Sequence, residues 1–158
     1  MKKTILSILL VSFSCLWARE IPVPSVASLA GALGSAGPGD VIVLAKGNWA
    51  DAEINVGRGG SQQTPLTIRA ESPGETLLTG TSFLEINAPH VVVDGLYFTQ
   101  GAIDTKQFSV IHFKSHHGTV RNTAVIDYNP PEFEDESYWA YFSGDNNCLL
   151  YTSPSPRD

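Results

Sequence analysis

A chain of 158 residues with 42% hydrophobic content suits one globular domain and excludes disorder over most of its length. Its formal charge of -6 makes it a poor partner for nucleic acid, which calls for a positive surface. Only Cys15 and Cys148 are present, so an exported form lacking the first has no internal disulfide and relies on its core.

The chain starts like an export signal over residues 1–18. Lys2 and Lys3 form a positive start, Ile5 to Val11 is an apolar run with one Ser, and Ala18 offers a small cleavage residue before Arg19-Glu20. The run is too short for a membrane span, and no other stretch is apolar enough for one. Ser12-Phe13-Ser14 before Cys15 matches a lipidation site poorly. That favours a periplasmic or secreted protein over an outer-membrane lipoprotein. Cleavage removes two lysines and no acid, which moves the formal charge to -8.

Ile21 to Pro24 reads as an extended entry. Ser25 is placed to cap a helix from Val26 to about Ala36, with Val26, Leu29, Ala30 and Leu33 on one face. Gly37-Pro38-Gly39 ends it. From there short apolar runs alternate with turns. Strands are expected at Asp40–Leu44, Glu53–Val56, Leu66–Ala70, Thr76–Thr79, Phe83–Ile86, Val91–Val93, Leu96–Thr99 and Val110–Lys114. Gly47-Asn48 reads as a turn, and Gly57 to Gln63 as a glycine-rich loop without the features of a phosphate-binding loop. In Val110–Lys114 the alternation points Ile111 and Phe113 inward and Val110, His112 and Lys114 outward.

The runs repeat. Val92-Val93-Asp94-Gly95-Leu96-Tyr97-Phe98 recurs 28 positions on as Val120-Arg121-Asn122-Thr123-Ala124-Val125-Ile126. The same step matches Trp139 and Tyr141 to the inward Ile111 and Phe113. A repeat of this length with period-2 patterning predicts strands stacked in coils, closed at the start by the helix. At Cys148 the pattern stops. Residues 148–158 carry two prolines that spoil a strand and read as an adapter-like, non-native tail, so the ladder is expected to be truncated at its C-terminal end.

Several segments together resemble the N-terminal part of polysaccharide lyase family 6, the family of alginate lyases and chondroitinase B. They are Pro38-Gly39-Asp40-Val41-Ile42-Val43-Leu44 with Gly47-Asn48-Trp49, Pro65-Leu66-Thr67-Ile68-Arg69-Ala70, Pro73-Gly74 and Leu78-Thr79-Gly80. Further on stand Val91-Val92-Val93-Asp94-Gly95-Leu96-Tyr97-Phe98, Tyr128-Asn129-Pro130-Pro131 and Tyr138-Trp139-Ala140-Tyr141-Phe142. The match runs over roughly residues 22–147, within a lyase domain placed at 19–147. It implies an all-β, right-handed parallel β-helix, β-elimination at a uronic acid, and a calcium ion that neutralises the substrate carboxylate. The family's Lys base, Arg acid and calcium ligands fall on later coils, so the resemblance assigns no catalytic or metal residue here.

From Lys106 to Arg121 the chain has no acid but holds Lys106, His112, Lys114, His116, His117 and Arg121. Such a window suits an anionic polysaccharide, and Lys114 and Arg121, charged and outward, are the expected substrate-binding residues. Tyr128 and Asn129 are placed to stack on or hydrogen-bond a sugar. His116-His117 reads as a turn, the acidic run Glu132, Glu134, Asp135 and Glu136 as a solvated loop, and Trp139 as core. The rival functions are a non-catalytic carbohydrate-binding or adhesin β-helix and a pectinase-type hydrolase with paired carboxylates on neighbouring rungs.

Overall fold

The computed structural model describes residues 18–104, 107–129 and 137–150. The proposed signal segment up to residue 17, Lys106, the acidic run and residues 151–158 lie outside the described residues.

Among the described residues fourteen short strands and one helix follow one another. β1 (Glu20–Val23) and α1 (Val26–Ser35) come first, then β2 (Val41–Leu44), β3 (Gly47–Ala50) and β4 (Glu53–Val56). The next coil holds β5 (Leu66–Ala70), β6 (Thr76–Gly80) and β7 (Phe83–Ile86). After it come β8 (Val91–Asp94), β9 (Tyr97–Gly101) and β10 (Ser109–Phe113), then β11 (Thr119–Arg121), β12 (Ala124–Val125), β13 (Tyr138–Phe142) and β14 (Cys148–Leu150). They stack into three parallel sheets. Sheet A runs β1-β2-β5-β8-β11-β14, sheet B β3-β6-β9-β12, and sheet C β4-β7-β10-β13. The result is a parallel β-helix of about four turns, as the repeat implied.

The core is a set of columns running along the coil axis. Ile42, Ile68, Val93 and Val120 succeed one another in sheet A, and Leu149, 51% exposed, continues the column on the last described rung. Ile54, Leu84, Ile111 and Ala140 do so in sheet C, and Trp49, Leu78, Phe98 and Val125 in sheet B. Each fully buried aliphatic member contributes about 1.5–3 kcal/mol by leaving water. α1 buries Leu29, Ala32 and Leu33 against the first coil, the i, i+3, i+4 stripe of an amphipathic helix. Ala32 therefore takes the place expected for Ala30, which is exposed. Ser25 is the N-cap residue, but its side chain makes no capping bond.

Corners reuse one backbone solution. Asp51, Gly80, Gln100 and Asp127 have φ of 54°, 66°, 52° and 54° at the B-to-C corner of successive coils. His90, His117 and Asn146 have φ of 55°, 57° and 55° at the C-to-A corner. The left-handed region favours Gly, Asn and Asp, which hold four of these seven places.

Four sequence readings change. Gly47-Asn48 opens strand β3 instead of forming a turn. The repeat closes one residue shorter than it looks, since Val93, not Val92, pairs with Val120. At β13 it closes one residue longer: Ile111 pairs with Ala140 and Phe113 with Phe142. Side chains alternate along a strand, so a one-residue error exchanges inside for outside. Phe142 thus stacks on Phe113 in the core at 5.1 Å, while Trp139 and Tyr141 are exposed. The ladder also runs past Asn147, because Cys148–Leu150 pairs in parallel with β11.

Candidate functional site

Sheet C presents a flat outer face built by successive coils. Glu85 on β7, His112 on β10 and Tyr141 on β13 stand in register, one per rung. Lys114, just beyond β10, reaches back so that its Nζ lies 2.7 Å from Glu85 Oε2. Asn87 Nδ2 donates to the other Glu85 oxygen at 2.9 Å. Burial pushes the Glu85 carboxyl up, but the bonds from Lys114 and Asn87 and the Lys114 charge outweigh it and hold the group below the usual carboxylate range.

His112 was expected to face outward. It does face out, yet it is only 7% exposed, because Phe108 and Tyr141 close over it. Val110 is likewise buried. Ser143 Oγ donates to the Phe113 carbonyl at 3.2 Å and so accepts from His112 Nε2–H at 3.0 Å. Burial, with the Lys114 charge adding and Glu85 opposing, lowers the His112 pKa and keeps the ring neutral at pH 7.

The four residues picked from sequence do not assemble into one site. Lys114 lies on sheet C. Arg121 projects from sheet A, where its Nε meets Asp94 Oδ2 at 2.9 Å and Asn122 Nδ2 binds the other Asp94 oxygen. Tyr128 is a core residue, 1% exposed, with its hydroxyl donating to the Ser82 carbonyl at 2.6 Å. It offers no face to a sugar. Asn129 is exposed beside it. Both expected cations are therefore half-neutralised by acids one rung away, a pairing that the stretch Lys106–Arg121, read alone, could not reveal.

Sequence reasoning missed two groupings. One is the ring set around His112. The other lies at the C-to-A corner, where His90 and His117 stack at 4.8 Å with planes 4° apart and His116 stands edge-on to both. His90 and His117 line a polar groove of about 450 Å³ with Ser61, Gln62, Thr119 and Asn146. Among the described residues no three His, Cys, Asp or Glu side chains converge as metal ligands. The described residues do not fit the calcium that the resemblance implies.

Because Glu85 titrates lower when folded than when unfolded, its contribution to stability is complete above the ordinary carboxylate range and is lost as pH falls through the folded value. Asp40, beside Arg19, and Asp51, held by Thr81, shift the same way. Denaturant midpoints are expected to begin falling below about pH 6.5, where the unfolded chain protonates His112 first, and to fall further towards about pH 3 as these carboxylates take up protons. Lys114→Met should make that fall shallower; an unchanged slope would remove the pair from the account.

The family model for chondroitinase B matches residues 23–153. A solved PL6 family polysaccharide lyase from Pseudopedobacter saltans is 38% identical, with a TM-score of 0.78 over 83% of this chain and 30% of that protein. The PL6 family alginate lyase AlyGC is 29% identical, with a TM-score of 0.76 over 82% of this chain and 18% of its own. A PL6 alginate lyase solved with a trisaccharide is 25% identical, with a TM-score of 0.53 over 67% and 22%. The chain thus spans less than a third of the length of these solved relatives. No curated protein sequence matches it.

Proposed function

The chain belongs to the chondroitinase B family, whose solved relatives are PL6 polysaccharide lyases, and from that membership we propose that it forms the N-terminal coils of an exported lyase acting on alginate or a related uronate polymer. The single observation that carries the reading is the family match over residues 23–153. That AlyGC is an alginate lyase favours alginate over other uronate polymers. The pattern of Lys2, Lys3, the apolar run and Ala18 supports export.

In β-elimination a base takes the proton from the carbon next to the carboxylate. That electron pair forms the new ring double bond, and the glycosidic oxygen departs with a proton from an acid. Neutralising the carboxylate lowers the cost of the negative charge that builds beside it. Neither base, acid nor calcium is placed on a described residue of this chain. The part assigned to its own residues is binding, with Lys114 as the cation facing a substrate carboxylate. Its ammonium has three N–H donors, of which Glu85 occupies one.

The complete product of the source gene is expected in the periplasm or medium with its N-terminus at Arg19. On alginate or dermatan sulfate it should raise the ultraviolet absorbance of the unsaturated product. Secretion without any such rise, with calcium supplied, would sink the lyase reading.

A further inference from the structure

Tyr141 on the outer face of β13, Phe108 just before β10 and Tyr138 at the start of β13, in register with Ser109, are 36%, 43% and 39% exposed, although exposed positions usually hold polar residues. Their rings are not scattered. Phe108 and Tyr141 meet edge-to-face at 5.1 Å, each closes on His112 at 4.9 and 5.2 Å, and Tyr138 leans on Tyr141 at 5.3 Å. Edge-to-face packing holds each ring in one orientation. His112 sits beneath as a neutral wedge, anchored through Nε2 to Ser143. Register places Glu85 one rung from His112, and Lys114 follows just beyond β10 with its side chain 42% exposed.

We propose that Tyr141, Phe108 and Tyr138 form an aromatic platform that stacks on the C–H face of a pyranose ring, with Lys114 taking the carboxylate of the same or a neighbouring uronate. The proposal rests on the lyase reading above and names a binding subsite within it. A pyranose presents axial C–H groups on one face and hydroxyls at its rim, so it matches a ring surface bordered by polar groups. A uronate adds one negative charge, which the two free N–H directions of Lys114 complement. A neutral apolar partner would leave Lys114 and Glu85 without purpose at the rim, and a nucleic acid would meet Glu85 and a net acidic protein. His112 acts as a positioning residue: it touches the rings, not the ligand.

The experiment is calorimetric titration of the chain with a uronate trisaccharide and with a neutral glucose trisaccharide. Circular dichroism confirms that each variant keeps its fold. Tyr141→Ala is expected to weaken uronate binding about tenfold, and Tyr141→Phe, which keeps the ring, to stay within about threefold of the unsubstituted chain. Lys114→Met should weaken the uronate and leave the neutral sugar unchanged. A folded Tyr141→Ala that binds like the unsubstituted chain overturns the platform and leaves the lyase reading standing. Absence of any uronate binding by the unsubstituted chain overturns the platform, while secretion and product absorbance decide the lyase reading separately.

Discussion

Replacing Tyr128 with alanine is expected to lower the stability of the chain by about 3–5 kcal/mol, the range for emptying a buried aromatic site. Tyr128 is among the largest fully buried side chains. Its ring meets Phe98 edge-to-face at 5.9 Å, and its hydroxyl ends on the Ser82 carbonyl. Ser82 is itself a junction. Its hydroxyl accepts from Ala52 N–H at 2.8 Å and lies 2.7 Å from the Thr79 carbonyl, so it ties one coil to the next. Burial pushes the Tyr128 phenol up to about 12, which keeps it a neutral donor throughout the working range. Tyr128→Phe keeps the ring and loses only the hydroxyl bond, so a cost of about 1–2 kcal/mol is expected. Urea unfolding of both variants measures the difference. A Tyr128→Ala loss under about 1 kcal/mol would show that the corner collapses around the gap or that the tyrosine is not buried.

Gly101→Ala is the second large effect, about 3 kcal/mol, at the upper end for over-packing. Gly101 ends β9 where sheet B shifts register, pairing with Gly80 after a break at Leu78. A Cβ added there meets the Gly80 carbonyl oxygen and the Tyr128 ring edge, closer than Cβ atoms come in practice. The backbone has no flexible side chain to yield. Gly80 is held at φ 66°, and Ala102 N–H donates to its carbonyl at 2.9 Å. The expected readout is a lower denaturation midpoint with an unchanged slope. The double variant with Tyr128→Ala should cost less than the two losses added, because removing the ring frees one of the two clashes. Strict additivity would mean that the Gly80 contact alone sets the cost.

Both predictions concern residues that the sequence described poorly, and for related reasons. Tyr128 follows a two-residue strand and precedes Asn-Pro-Pro, so locally it reads as a loop aromatic open to a ligand. Its burial comes from a bridge to Gly101, a rung away in space. Arg121 and Lys114 read as free cations because their acids, Asp94 and Glu85, lie on the preceding coil. Tyr141 read as core because a constant step was applied to coils of unequal length.

The alternation of apolar residues within each run was enough to reveal strands, and its recurrence was enough to reveal stacked coils. Gly37-Pro38-Gly39, with Gly39 at φ 83°, marked the end of the helix. These are local features, dictated by the neighbours of each residue, and they led to the fold class and the family. Register across rungs is set by corner length: the step is 27 residues from Leu84 to Ile111 and 29 from Ile111 to Ala140, and neither equals the 28 of the visible repeat. One residue more or less reverses which side chains face out, so the company kept by Lys114, His112 and Tyr141 emerged only from the assembled coils.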